Sequence, residues 1–173
     1  ASEPLQMGFF DDGVPYVFSS DRLYRIVPTF GDVTSFRAVE TPCTKGLWSP
    51  WFMCVTPDGT FFGNKAGIYF TSGGAEADSI TDEDLKPLFP QDGVDGETIR
   101  SLSPIDFTQT TRLKLAYVDS MVYFDYVDVL GVDHTLVYEP AVKRWTPDTY
   151  PLSGVRSRLG EPGPVVHTNL IGC

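Results

Sequence analysis

Carboxylates are the residues of this chain whose number and spacing could do chemistry. Asp125, Asp128 and Asp133 crowd one stretch, while Asp92, Asp95 and Glu97 crowd another. Oxygen-rich clusters suit a hard cation such as calcium, but neither stretch has the alternating ligands, fixed Gly and terminal Glu of an EF-hand loop. A carboxylate pair can also hydrolyse a glycosidic bond when one member is held protonated and the other ionised across the scissile link. Sequence order carries no such geometry, and acids in polar loops commonly serve only to keep the surface solvated. The two histidines, His134 and His167, have no Cys or His near them at metal-ligand spacing, which leaves them a structural role. There is no Gly-x-Ser-x-Gly elbow, phosphate loop or dinucleotide fingerprint. The pattern predicts a non-enzymatic chain without a cofactor or metal. Trp48 and Trp51 could stack on sugar rings if exposed, whereas Trp145, in Lys143-Arg144-Trp145-Thr146-Pro147, suits a wedge between neighbouring sheets.

Charge and composition narrow the partners. A formal charge of -10 repels a phosphate backbone, and the 13 Lys and Arg are scattered rather than gathered into a stripe. Nucleic acid is therefore not an expected partner. No apolar run reaches the length of a membrane span, and Ala1-Ser2-Glu3-Pro4 reads as neither a signal peptide nor a natural start, so the chain reads as a soluble piece of a longer polypeptide. Cys43, Cys54 and Cys173 cannot all pair within one chain, and Cys54 lies in an apolar stretch that reads as a buried thiol.

The elements that must position these residues are strands. Aromatic side chains at 13% favour pleated surfaces, and 16 Gly with 14 Pro supply the turns that short strands require. One pattern is written three times: an apolar run, a tight Asp turn, a second apolar strand and a third strand with an aliphatic-Tyr pair. The turns are Asp12-Gly13, Asp58-Gly59 and Asp119-Ser120, so the aspartates at 12, 58 and 119 stand 46 and then 61 residues apart. The aliphatic-Tyr pairs are Leu23-Tyr24, Ile68-Tyr69 and Val137-Tyr138. Strand-only repeats of this length are the signature of propeller blades.

The first unit, about 5–42, takes strands at 5–10, 14–19, 22–27 and 35–39; the second, about 46–90, takes 51–55, 60–63, 67–71 and a fourth element around Leu88-Phe89. The third, about 112–150, takes 113–118, 121–126, 134–138 and 143–146. Thr81 followed by Asp84 resembles a capping box, predicting one short helical turn over 79–86 that Pro87 and Pro90 stop. Residues 91–111 form an insertion with the composition of an exposed loop. Val127 to Asp133 is a long hairpin loop, and these two loops are the expected contact regions. A fourth unit begins at 165–173. Several strands are apolar without alternation, as in Phe61-Phe62, Ile68-Tyr69-Phe70 and Met121-Val122-Tyr123-Phe124, so both faces of those sheets must be covered, and sheets are the only available cover. The expected fold is all-β: a partial β-propeller of about three four-stranded antiparallel blades plus one extra strand, with a β-sandwich or barrel as the alternative. Its open blade edges need other subunits or self-association to seal them.

Two resemblances rest on short motifs. Leu136-Val137-Tyr138-Glu139-Pro140 followed by Lys143-Arg144-Trp145 resembles kelch-type blades. Gly67 to Gly74, continuing through Ser79-Ile80-Thr81-Asp82 and Pro87-Leu88-Phe89-Pro90, is similar to propeller-containing structural proteins of tailed bacteriophages, as is Ile99 to Pro104. The phage resemblance implies a virion component of the tail or attachment apparatus that binds other proteins. A carbohydrate-binding propeller in an extracellular setting is the second reading, and a glycoside hydrolase the third.

Overall fold

The computed structural model describes residues 5–82, 84–90 and 95–147. The start of a fourth unit at 165–173, and Asp92, lie outside the described residues. Three antiparallel four-stranded meanders follow one another along the chain, and no sheet closes into a barrel among the described residues. The first sheet is β1 (Leu5–Asp11), β2 (Val14–Ser19), β3 (Leu23–Thr29) and β4 (Asp32–Glu40). The second is β5 (Met53–Thr56), β6 (Gly59–Asn64), β7 (Gly67–Thr71) and β8 (Asp78–Ser79). The third is β9 (Lys114–Val118), β10 (Met121–Val127), β11 (Asp133–Glu139) and β12 (Arg144–Pro147).

Turn chemistry sets each register. Asp11 pairs with Val14 and Val118 with Met121, which leaves Asp12-Gly13 and Asp119-Ser120 as two-residue loops. All four residues have positive φ, from 47° to 75°, the type I′ geometry whose twist matches that of the flanking strands. The middle repeat is offset by one residue. Thr56 pairs with Gly59, so Pro57 and Asp58 form the loop, and the Thr56 hydroxyl closes it by donating to the Gly59 carbonyl at 2.9 Å. Gly59 has φ +148°, and a Cβ there would sit 2.5 Å from the Thr71 carbonyl, so glycine is required by both conformation and space.

The layers are held by aromatic rings. Neighbouring residues of a strand point to opposite faces, so Phe61 and Phe62 of β6 serve different sheets. Phe62 meets Phe18 of the first sheet at 4.6 Å between ring centroids, and Phe61 meets Tyr138 of the third at 6.1 Å. The second sheet is thus buried on both faces, as its unalternating strands require. Phe52, fully buried just before β5, stacks on Phe124 at 5.3 Å. Its ring lies so close to Gly63 that an added Cβ would fall 2.3 Å from it. Trp145 wedges between the second and third sheets, where its indole nitrogen donates to the Ile80 carbonyl at 2.7 Å. The first strands of these two sheets, β5 and β9, lie side by side, joined just ahead of β5 by the Leu115 amide donating to the Trp51 carbonyl. Cys43, in the link after the first sheet, and Cys54 in β5 are both buried thiols outside any disulfide among the described residues. Burial pushes the Cys43 thiol above its ordinary pKa, partly offset by its hydrogen bond to Lys45 and by the charge of that residue.

Three expectations need correction. The fourth strand of the second unit is Asp78–Ser79, paired with Phe70 and Tyr69, and not Leu88-Phe89. Leu88 and Phe89 are apolar because they plug the core, and Lys86–Leu88 is a single 3-10 turn that includes Pro87. A helical turn does close within 79–86, where the Thr81 carbonyl accepts the Leu85 amide at 2.9 Å, but the Thr81 hydroxyl makes no capping box, since it accepts the Ile68 amide at 3.2 Å and so ties down β7. The insertion is exposed at Asp95, Glu97 and Thr98, as its composition suggests, but is anchored to the core further along. Ile105 and Phe107 are buried, and the chain there is bonded on one side to Leu88 and on the other to Val127.

Phe52→Ala, removing a fully buried ring between two sheets, is expected to cost about 3–5 kcal/mol in chemical denaturation. Thr60 carries the opposite expectation. Its hydroxyl is buried without a hydrogen-bond partner among the described residues. Thr60→Val, which keeps the shape and removes the desolvated hydroxyl, should therefore raise stability by about 1 kcal/mol.

Candidate functional site

The sequence-predicted carboxylates hold the third sheet together. Asp128 is 2% exposed, and one of its oxygens accepts the Leu130 and Val132 amides at 2.9 and 2.8 Å. The other accepts from His134 Nε2 at 2.9 Å, and the His134 ring stacks on Tyr126 at 4.9 Å. The β10–β11 loop is therefore clasped from within. Asp125 is buried and accepts the Thr135 hydroxyl at 2.5 Å, while Asp133 pairs with Arg112. Asp95 is exposed in the insertion. Among the described residues no group of three or more His, Cys, Asp or Glu is arranged to hold a metal ion.

Electrostatics agree with a structural use of Asp128. Burial, the largest single influence, pushes its pKa up, but the His134 bond, the two loop amides and the nearby His134 charge together outweigh it. The carboxyl is held below its ordinary range. Burial also drives the Tyr126 phenol far above its usual pKa, with Asp128 adding to the effect.

The tryptophans separate. Trp48 is half-buried, edge-on to Phe107 at 6.0 Å, and its Nε1 donates to the Phe107 carbonyl at 3.4 Å. The Lys65 ammonium lies 4.3 Å over the same ring, so both an edge and a face are used within the chain. Trp51 is 57% exposed.

Sequence reasoning missed a surface of a different kind. In the first sheet Phe9, Tyr16 and Phe18 point toward the second sheet, with Phe9 stacked on both of the others and Tyr16 donating to the Gly73 carbonyl at 3.0 Å. Pleat alternation then sends the intervening residues outward. Phe10 pairs with Pro15, Val17 with Tyr24, Ile26 with Ala38 and Pro28 with Phe36, and together they form an apolar outer face. Phe10 is 69% and Phe36 62% exposed. The signal was in the sequence, since neither β1 nor β3 alternates cleanly, but only the register shows which residues share a face. The clasped β10–β11 loop adds a second apolar projection through Val129, Leu130 and Val132, all exposed.

The arrangement offers apolar contact area on a rigid frame, with Asp125, Asp128 and Asp133 engaged in holding that frame. Compared with known proteins, no family model matches the chain and no curated protein does. Among the described residues no helix is long and apolar enough to cross a membrane.

Because the folded pKa of Asp128 is depressed, its contribution to stability is present at neutral pH, begins to fall below the ordinary aspartate pKa of about 3.9 and is lost as pH falls through the lower folded value. Asp128→Ala should remove about 1.5–3 kcal/mol at pH 7, the range for hydrogen bonds to a charged group. Denaturation series at pH 7 and pH 3 check both points: the deficit of the variant must shrink at the lower pH.

Proposed function

We propose that the protein is a non-enzymatic assembly module, a partial propeller whose first sheet docks against a sheet of another subunit. The observation that carries this reading is the apolar outer face of that sheet, on which Phe10 and Phe36 are exposed and Ile26 is half-buried. The second sheet indicates what kind of cover fits, because each of its faces is occupied by rings of a neighbouring sheet. Continuing the same stacking by one step lays a further sheet on the outer face, as in successive blades of a propeller. The adjacency of β5 and β9 supports the same reading, since first strands surround the axis of a propeller. A contiguous apolar patch of this kind marks protein contact more often than solvent exposure alone. A second copy of the chain is the partner to which we commit. The resemblance to phage structural proteins supports a virion tail or its attachment apparatus as the setting.

Light scattering on the purified full chain tests the docking face. The expected result is a dimer or larger assembly at tens of micromolar that dissociates in Phe10→Ser/Phe36→Ser while the fold, judged by circular dichroism, persists. A monodisperse monomer for the unmodified chain would overturn the reading.

A further inference from the structure

Between the second and third sheets lies an open cleft of about 830 Å³ that neither the strand pairing nor the proposed docking face uses. Its walls are aromatic. Phe61 and Phe70 line it from the second sheet, with rings 4.8 Å apart, and Tyr117 and Tyr138 line it from the third. These rings are set by packing, since Phe61 meets Tyr138 edge-on and Tyr138 leans on Trp145 at 5.0 Å. The cleft is therefore preformed, and its size falls in the range of ligand sites, roughly 300–1,000 Å³.

The charge around the rings is one-sided. Asp58, Asp78 and Asp82 line the cleft with Lys143 among the described residues; because Asp82 is paired with Lys86, the unneutralised balance is Asp58 and Asp78 against Lys143, two negative charges against one positive. Asp78 pairs with Phe70 across β7 and β8, so its carboxylate shares the pleat face of the Phe70 ring. Asp82 accepts Lys86 at 3.0 Å, and that hydrogen bond is the main cause holding its pKa below the usual range. The carboxylate stays ionised at neutral pH. Ring faces and carboxylates both attract cations, and guanidinium stacks on aromatic rings while pairing with carboxylates in its plane. An anionic ligand meets repulsion instead. The mouth of the cleft also presents a sheet edge, because β8 is only two residues long and no strand lies beyond it among the described residues. An extended chain laid along such an edge turns alternate side chains to one face.

We propose that this cleft receives an arginine-bearing extended segment of a partner polypeptide, with guanidinium groups between the aromatic walls and the Asp58 and Asp78 carboxylates. The probe is a blocked Gly-Arg-Gly-Arg-Gly peptide titrated calorimetrically into the full chain, beside a Glu-substituted peptide and a neutral oligosaccharide. Expected is saturable binding of the Arg peptide alone, weakened severalfold when salt is raised from 50 to 300 mM, as charge pairing at a surface requires. Asp58→Asn/Asp78→Asn should weaken it about threefold to tenfold, the amount two exposed pairs can supply. Both positions are exposed, so these changes leave the core intact, and thermal melting confirms that the fold survives. Phe10→Ser/Phe36→Ser, which addresses the docking face, should leave peptide binding unchanged. The proposal fails if the Arg peptide does not bind at millimolar concentration, if the double Asn variant binds it equally well, or if the oligosaccharide binds instead without salt dependence.

Discussion

The structure depends on a pair of adjacent phenylalanines that face opposite ways. Phe61 and Phe62 sit at the centre of β6, and the pleat gives one ring to the third sheet and the other to the first. Fully burying a side chain of this size contributes on the order of 1.5–3 kcal/mol, and here two consecutive residues each do so in a different interface. Neither flanking sheet could be moved without leaving one ring uncovered. The remaining aromatic contacts extend this arrangement outward, through Phe9 and Tyr16 on one side and through Phe52, Phe124 and Trp145 on the other.

The same constraint explains why the end sheet differs from the middle one. A stack of sheets in which only the middle member is covered twice must end in a half-dressed surface, and the first sheet ends it with phenylalanines rather than charges. The acidic residues are directed elsewhere. Asp128 clasps a loop, Asp125 holds a strand pair, and Asp133 meets an arginine. These three carboxylates are thus engaged within the scaffold of the third sheet.

How much of this was legible in the sequence follows from the range of the interactions concerned. Strand positions and the tight turns at Asp12-Gly13 and Asp119-Ser120 were readable because pleat period and turn-forming residues are local signals, the turn read at Asp58-Gly59 lies one residue earlier, and the doubled Phe61-Phe62 correctly announced two-sided burial. The fourth strand of the second sheet was not readable. Leu88-Phe89 carries the apolar character of a strand but answers to a distant core, while Asp78–Ser79 has no strand character of its own and is held by pairing with β7. The insertion misled for a similar reason: Ile105 and Phe107 are sparse among polar neighbours, yet they are what the core takes. Of the candidate sites, Asp125, Asp128 and Asp133, neighbours in one dimension, make separate ties in three. The outer face and the cleft emerged only from register and from the meeting of sheets.

The buried thiols give the molecule a built-in clock for its own breathing. Cys43 lies where the chain leaves the first sheet, and Cys54 pairs with Phe61 on the side facing the third. Thiolate is the reactive form, and burial suppresses it at Cys43, so each sulfur meets reagent only while its layer stands ajar. Alkylation rates at Cys43, where the chain leaves the first sheet, and at Cys54, in the second sheet, would thus report openings at two different places in the fold.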